Sequence, residues 1–566
     1  MKLKGFTKKQ LLDIYRTMYR SRILDKKQLI LLKQGKGFFH IGASGHEVAE
    51  VAAGINFKPG YDYAYPYYRD QAFCLSWGMT PMDMLLSFLA REEDPNSGGR
   101  QMPQHFGCSK YNIVSQSSPT GTQFLQAVGA AFALKRDKSN AVVYVSAGEG
   151  TTSQGDYHEA LNWASRENAP VVFHIEDNGY AISVPIDEQV SGASVYNISS
   201  GYQNLNRYNV DGTDFLETHL AFKDAVNRAR NGKGPSVVVS NVVRLLPHSS
   251  SDDHRKYRSK EELDMDMERD PINKFKALCI DNGICKDTEF NKIDSTISQE
   301  IDGIAEKAEL ASSPSVSTVY NHLYSENTDS YSGLEINPIQ DSIVMVDAIN
   351  HALAEELENN PKMLVYGQDV AGGKGGVFTA TKGLSDLYED RVFNSPLAES
   401  SIIGTAIGLA TLGYKPVVEI QFGDYIWTAM MQIRNELATL RYRSNGAWKC
   451  PLVVRVPVGG YIHGSLCHSQ SIEGYFAHLP GVRIMFPSNA TDAKGLLKNA
   501  CRSDDPVLFF EHKGLYRQPY SSGPEPDKTY LLDIGKAKVV QQGSDVTIIT
   551  WGALVQKSIE AANQSD

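Results

Sequence analysis

Apolar positions along the chain alternate between two rhythms. The runs Ala141-Val142-Val143-Tyr144-Val145 and Pro170-Val171-Val172-Phe173-His174-Ile175 are short, apolar and β-branched, so they read as strands of a parallel sheet buried on both faces. Between them, residues 156–167 place Leu161, Ala164 and the Trp163 ring on one side of a predicted helix. Strand, helix and strand over about 30 residues predict one right-handed crossover unit. From Thr7 to Lys33, charges alternate with Leu11, Leu12, Ile14, Tyr15, Met18 and Ile23, the pattern of an amphipathic helix rather than a signal peptide. Another helix is predicted over 286–311. From 312 to 341 the periodicity is lost and Ser, Asn, Gly and Pro gather, which marks a linker or a wrapped extension. The α/β rhythm then returns. Strands are predicted near 363–366, 391–393, 416–421, 451–456, 482–486 and 507–510, and helices near 341–358, 399–412, 424–442 and 490–502. After a polar break at 517–530, Asp545-Val546-Thr547-Ile548-Ile549-Thr550 reads as one more strand, followed by the start of a helix.

The first crossover unit carries the most informative chemistry. Glu149, within Gly148-Glu149-Gly150, and Asn178, within Asp177-Asn178-Gly179-Tyr180, each follow one of the two strands. Both are therefore expected at the carboxyl edge of neighbouring strands, where open α/β sheets bind ligands. A carboxylate, an amide oxygen and a backbone carbonyl, from Tyr180, are hard oxygen ligands suited to magnesium, which usually shares its coordination with ligand phosphates. Gly148 and Gly150 leave room for the backbone to approach a diphosphate. An ordinary acidic loop of a doubly wound sheet is the alternative for this stretch taken alone.

The spacing resembles the thiamine diphosphate signature, with Glu149 in place of its first Asp and Asp177 in place of its first Asn. Residues 99–135 and 148–183, Tyr68-Arg69-Asp70 and the loop Pro247-His248-Ser249-Ser250-Ser251-Asp252-Asp253 resemble the α subunit of the branched-chain 2-oxo acid dehydrogenase, the decarboxylating first component of that complex. Residues 367–410, Glu419-Ile420-Gln421-Phe422-Gly423-Asp424-Tyr425 and 463–474 resemble its β subunit. The likeness keeps both subunits in order and covers almost the whole chain. It implies an α/β protein of the thiamine diphosphate-binding, transketolase-like fold, with two doubly wound parallel-sheet domains and the start of a third α/β domain. The expected division is an α-like domain over 1–315, a linker over 316–340, a β-like domain over 341–525 and, over 526–566, the incomplete start of a transketolase C-terminal-like domain. Because related β subunits continue further, a truncated chain is expected.

The resemblance also assigns roles. Glu399 is expected to hydrogen-bond the aminopyrimidine ring of thiamine diphosphate and so promote deprotonation of the thiazolium carbon. The Leu397 backbone, the Gln421 amide and the Tyr425 ring are expected to hold that ring, although Tyr425 reads equally well as a core aromatic. Tyr68 and Arg69 resemble a diphosphate grip, Arg being a natural phosphate fork. Ser118 and Thr120 are expected at the cofactor. Ser117, Pro119, Thr122 and Gln123 match a monovalent-cation (K+) site, where a helix cap is the plain alternative. His248 and His468 coincide with active-site histidines, and His105 is a further candidate at the substrate end. One departure stands out. Glu176, beside Asp177, replaces an Arg or Gln, and extra acids beside a diphosphate repel it unless they point away or meet a cation. Ser249 to Ser251 occupy the place of a regulatory phosphorylation loop in mitochondrial relatives, without evidence here of a kinase.

Composition narrows the function further. The chain of 566 residues, 42% hydrophobic and 22% charged, has room for several cores. A net charge of −10 offers no basic face for nucleic acid. Seven scattered cysteines without a CxxC pair point to a reducing, cytoplasmic setting. No apolar run reaches the roughly 20 residues that span a bilayer. The expected protein is a fused homodimeric first component, with cofactor sites between α-like and β-like domains. It decarboxylates a branched-chain 2-oxo acid and passes the acyl group to the lipoyl group of a partner acyltransferase. A pyruvate-specific enzyme, a catalytically silent relative and a transketolase-like reaction are the alternatives, the last without any sugar-phosphate clamp in the sequence.

Overall fold

The side chain of Thr7 accepts the Gln10 amide hydrogen while the Gln10 side chain accepts that of Thr7, so helix α1 (Lys8–Lys33) begins where the amphipathic pattern begins. The computed structural model describes residues 2–3, 5–326 and 336–565. Contacts divide the chain into two units, Met1–Asn321 with Tyr442–Trp448, and His322–Arg441 with Lys449–Asp566. Each has its own parallel sheet and core.

In the first unit the elements that position chemistry are α2 (Glu47–Gly54), β1 (Tyr63–Tyr65), α3 (Thr122–Arg136), β2 (Val143–Gly148), α4 (Gly155–Glu167), β3 (Val171–Asp177), β4 (Asn206–Asp211), α5 (Phe215–Arg230), β5 (Ser236–Asn241) and α6 (Asp287–Leu310). The five strands are parallel in the order β1-β2-β3-β5-β4. Helices cover both faces of this sheet. Phe173 on β3 packs against Phe124 of α3 at 6.0 Å between ring centroids, and the next residue, His174, meets Phe222 of α5 at 4.8 Å. Alternate side chains thus enter opposite cores, which is why β3 reads as a continuous apolar run instead of an alternating one. Helix α4 buries Leu161, Trp163 and Ala164, the side the periodicity selected.

In the second unit, α7 (Met345–Asn359), β6 (Met363–Gly367), β7 (Val392–Asn394), α8 (Glu399–Thr411), β8 (Lys415–Glu419), β9 (Val453–Val458), β10 (Arg483–Met485), α9 (Ala490–Arg502) and β11 (Val507–His512) build a six-stranded parallel sheet ordered β7-β6-β8-β9-β11-β10. Val365 joins Met345 and Leu353 of α7 in one core. Its neighbour Tyr366 bonds the Ile402 carbonyl (3.2 Å) and Thr405 Oγ1 (3.0 Å) of α8. At the centre, Arg455 on β9 bridges Glu419 of β8 (2.8 Å) and Glu511 of β11 (2.7 Å), all three buried.

Three expectations change. The predicted helix over 424–442 is instead a 3₁₀ turn (Gly423–Ala429), a π-helical segment (Gln432–Leu437) and a short α-helix (Leu440–Arg443). The Ala438 amide bonds the Ile433 carbonyl five residues back, and the Thr439 hydroxyl takes the Asn435 carbonyl (2.6 Å), competing with the regular ladder. Residues 545–550 form no strand, since no described strand pairs with them. Within the expected linker, residues 327–335 lie outside the described residues, while Pro338–Ile343 forms a strand antiparallel to Gly523–Pro526. No helix among the described residues is long and apolar enough to cross a membrane.

Replacing Arg455 with alanine leaves Glu419 and Glu511 buried without their cation. The expected loss is about 3–5 kcal/mol of unfolding free energy in denaturant titrations. A loss under about 1 kcal/mol would mean that the carboxyls are satisfied without Arg455.

Candidate active site

Gly148 on β2 lies in register with Glu176 on β3, so Glu149 and Asn178 leave the sheet at the same edge. The Asn178 amide donates to Glu149 Oε2 at 3.2 Å, and the Tyr180 amide donates to Asn178 Oδ1 at 3.3 Å. Glu149 is 1% exposed. Burial, reinforced by Asp177, pushes its carboxyl up to about 7. Gly148 leaves open space where a Cβ would stand, its nearest neighbours 3.9 Å away. Gly150 is required for a different reason: a Cβ there would sit 2.3 Å from the Ala181 side chain.

Beside this edge Arg69 donates to the Gly42 carbonyl (2.5 Å) and to the Nδ1 and carbonyl of His248 (3.0 and 3.1 Å). A guanidinium only donates, so Nδ1 of His248 is an acceptor and the ring proton sits on Nε2. Burial, with Arg69 and Arg244 nearby, pushes His248 down to about 3, which keeps the ring neutral. Tyr68 stands 6.0 Å from the His248 ring and 6.4 Å from His105, whose Nδ1 donates to the Pro103 carbonyl. Tyr68, Arg69, His105 and His248 are thus gathered together. The serine loop is tied down: Asp252 Oδ2 accepts from the His248 amide and the Tyr257 hydroxyl, and the Ser250 amide bonds the His40 carbonyl.

Glu176 does not face the cofactor edge. It alternates with Asp177 on β3 and turns inward, with Oε2 2.5 Å from His46 Nδ1 and 3.3 Å from the Tyr67 hydroxyl. Asp177 remains near Glu149, its own carboxyl raised by burial and its Oδ1 accepting from the Gly179 amide (3.0 Å). Ser117, Pro119, Thr122 and Gln123 share the turn into α3, where Thr122 Oγ1 donates to the Pro119 carbonyl (3.3 Å) and the Gln123 amide bridges the Gly121 amide and the Ser146 carbonyl. Ser118 is exposed, its hydroxyl 4.0 Å from Met102 Sδ, and Thr120 is half-buried.

In the second unit Glu399 opens α8, also at the carboxyl edge of its sheet. Gln368 Nε2 donates to one carboxylate oxygen (3.2 Å) and Thr428 Oγ1 to the other (3.2 Å). Gln421 Nε2 donates to Asp369 Oδ2 (2.6 Å) and the Gln368 carbonyl (3.4 Å). The Tyr425 hydroxyl donates to His468 Nε2 (2.7 Å) while His468 Nδ1 donates to the Gly464 carbonyl (3.2 Å), which fixes that tautomer. Leu397 stands apart, 83% exposed.

Three residues escaped the sequence reading. Gln368 follows strand β6 at the carboxyl edge of its sheet, a strand-end position that could have marked it. Thr428 had no signal, because its position depends on the 3₁₀ turn. Arg244, a cation inside the apolar run 237–246, is 1% exposed, and its Nε and one terminal nitrogen meet no partner. It lies over Tyr180 at 5.7 Å, and burial and Arg69 lower its pKa.

Residues 15–317 match the family model "Dehydrogenase E1 component", more than half of the chain. The chain belongs to that family. Residues 341–519 match "Transketolase, pyrimidine binding domain", so one chain joins α-like and β-like parts of a thiamine diphosphate-dependent 2-oxo acid dehydrogenase E1. Over 304 residues it is 41% identical to the 2-oxoisovalerate dehydrogenase subunit alpha of Bacillus subtilis, covering 54% of this chain and 91% of that one. Over 220 residues it is 52% identical to the beta subunit from the same organism, covering 39% of this chain and 66% of that one. Identity to the Bacillus subtilis pyruvate dehydrogenase E1 component subunit beta is 46% over 223 residues, covering 39% of this chain and 68% of that one.

The residues fit the family's cofactor. Arg69 and Arg244 form no hydrogen bond to a carboxylate among the described residues, and buried guanidinium nitrogens of Arg244 await an anion. Glu149, a buried carboxyl that forms no ion pair among the described residues, has only the charge of Arg244 bearing on it and suits a cation.

The raised Glu149 pKa fixes a sign. Its neutral form stabilises the metal-free fold fully below pH 4.5, and that stability is lost as pH rises through about 7. The difference is on the order of 3 kcal/mol. In metal-free melts, Glu149→Gln is expected to raise Tm at pH 8 and leave it near wild type at pH 4.5. A parallel pH profile for the two proteins would remove the assignment.

Proposed function

We propose that this protein oxidatively decarboxylates a branched-chain 2-oxo acid such as 3-methyl-2-oxobutanoate and transfers the acyl group to the lipoyl group of a partner acyltransferase. The observation that carries the substrate branch is the match to both 2-oxoisovalerate dehydrogenase subunits in one chain, at 41% and 52% identity. The reaction balances within the proposed partners: the substrate carbon is oxidised, carbon dioxide leaves, and the lipoyl disulfide is reduced as it takes the acyl group. Pyruvate is the second reading, favoured by the 46% identity to a pyruvate dehydrogenase beta subunit.

Thiamine diphosphate, when bound, supplies the nucleophilic carbon and the electron sink. The chain's residues supply the rest. Arg69, Arg244 and Tyr68 hold the diphosphate, and Glu149, Asn178 and the Tyr180 carbonyl hold magnesium. The Glu399 carboxylate, oriented by Gln368 and Thr428, accepts a hydrogen bond from the aminopyrimidine, with Gln421, Tyr425 and the Leu397 backbone beside it. Neutral His248 offers its Nε2 proton to the substrate. His468, oriented by Tyr425, serves proton movement during acyl transfer, and His105 serves the substrate end. Ser118 and Thr120 meet the cofactor, and the Ser117, Pro119, Thr122 and Gln123 turn takes a potassium ion. The working form is a cytoplasmic homodimer, a setting that the free state of all seven cysteines favours.

The test is carbon dioxide release from 3-methyl-2-oxobutanoate, pyruvate and 2-oxoglutarate with thiamine diphosphate, magnesium and an artificial electron acceptor. Expected is a preference for the branched acid, with Glu399→Ala lowering turnover by roughly 100-fold or more. A pyruvate preference moves the substrate and keeps the mechanism. No turnover on any acid, with cofactor binding confirmed, overturns the proposal.

A further inference from the structure

On the face of β3 opposite Asp177, four buried side chains converge. Glu176 at the end of β3, His46 just ahead of α2, Glu50 within α2, and Asp70 are each at most 1% exposed. One ligand atom each from His46, Glu50 and Glu176 falls within 4.8 Å of the others. Asp70 is an independent fourth group. Its Oδ2 is taken by the Tyr144 and Ser146 hydroxyls, and its charge bears on both Glu50 and Glu176. Glu50 Oε2 is likewise taken, by the Ala72 and Phe73 amides (2.6 and 3.0 Å).

The remaining atoms are the informative ones. His46 Nε2 and Glu50 Oε1 are buried without a hydrogen-bond partner, while Glu176 Oε1 stands 3.4 Å from His174 Nδ1 and its carboxyl shares a hydrogen bond with that of Asp70. A shared proton satisfies two oxygens at a time, whereas a cation satisfies several donors at once. Three carboxyls also share one buried pocket, an arrangement that is unfavourable unless protons or a cation neutralise it. No Lys or Arg forms an ion pair with any of the three carboxyls among the described residues.

We propose that this pocket binds one divalent first-row metal ion of the manganese-to-zinc class through His46, Glu50 and Glu176, with Asp70 as the remaining carboxylate. The imidazole selects against magnesium and calcium, which take oxygen ligands. The ion is separate from the magnesium proposed at Glu149 and Asn178, because Glu149 follows Gly148, the register partner of Glu176, and so leaves its strand toward the face opposite Glu176. It joins the start of α2 to the end of β3, two residues before Asn178, and so fixes the strand end that carries the cofactor edge. The site is closed to solvent, so the ion enters as the chain folds. Its insertion opens the 2.5 Å contact of His46 Nδ1 with Glu176 Oε2 wherever both atoms ligate.

The experiment is elemental analysis of the full chain, made with added manganese or zinc and passed through a chelator, beside His46→Gln, Glu50→Gln and Asn178→Ala. One ion per chain is expected in wild type and Asn178→Ala, falling to roughly a tenth or less in the other two. The anomalous peak at the metal edge in wild-type crystals should fall among His46, Glu50 and Glu176, a readout that holds even where a variant misfolds. Wild type without a retained ion overturns the proposal. So does an anomalous peak at Glu149 and Asn178, or an ion lost with Asn178→Ala and kept in His46→Gln.

Discussion

The register between β2 and β3 is the constraint on which the chemistry of the first unit depends. Pairing Gly148 with Glu176 fixes where each strand ends, so Glu149 and Asn178 emerge side by side. The side-chain period of two then decides what each acid does. Glu176 falls on the face of His174 and α5 and is drawn into the interior, while Asp177 falls on the other and stays beside Glu149. A slip of one residue would exchange them, placing a buried acid where a diphosphate is to sit. The alternation that makes the sheet a sandwich between helices also sorts three consecutive polar residues into separate tasks.

Charge at this edge is arranged against itself until ligands arrive. Arg69 and Arg244 crowd each other and bond no carboxylate among the described residues, where Glu149 likewise forms no ion pair although the charge of Arg244 bears on it. Each group is unfavourable alone, and on the proposed reading a diphosphate with a divalent cation would neutralise both at once. The same guanidinium that waits for phosphate also sets the tautomer of His248, because its proton fills Nδ1. The residue proposed to grip the cofactor thereby determines which face of a histidine can donate.

The sequence carried the fold wherever a run was long or both its faces were covered. Helix α1, helix α4, and strands β2 and β3 were legible to within two or three residues because burial on both faces leaves an unbroken apolar run. The 424–442 segment was not, since its apolar spacing suits a regular helix and only the threonine hydroxyls bonding back to carbonyls disturb it. The 545–550 run shows the limit from the other side: β-branched residues supply propensity, and a strand exists only where another strand meets it. At the site, motif spacing pointed to Glu149, Asn178 and Glu399. The partners that orient Glu399 were illegible, because Thr428 is brought there by a turn type the sequence does not announce.

A common logic places chemistry in both units. Each sheet is parallel, and each puts its polar side chains at its own carboxyl edge, where strand ends diverge into loops. In the second unit the apolar run leading to Gly367 ends in Gln368 and the run leading to Glu419 ends near Gln421, so two amides flank the start of α8. Glu399 gains orientation there from two neutral donors instead of a cation. A neutral donor orients a carboxylate without offsetting its charge, whereas an arginine at the same distance would pair with that charge. The first unit uses the opposite arrangement, with guanidinium groups at the position where anionic charge is to be held. The difference between the two edges therefore lies in whether the local partner carries a charge, and on the proposed reading this divides the gripping of a diphosphate from the orienting of a carboxylate.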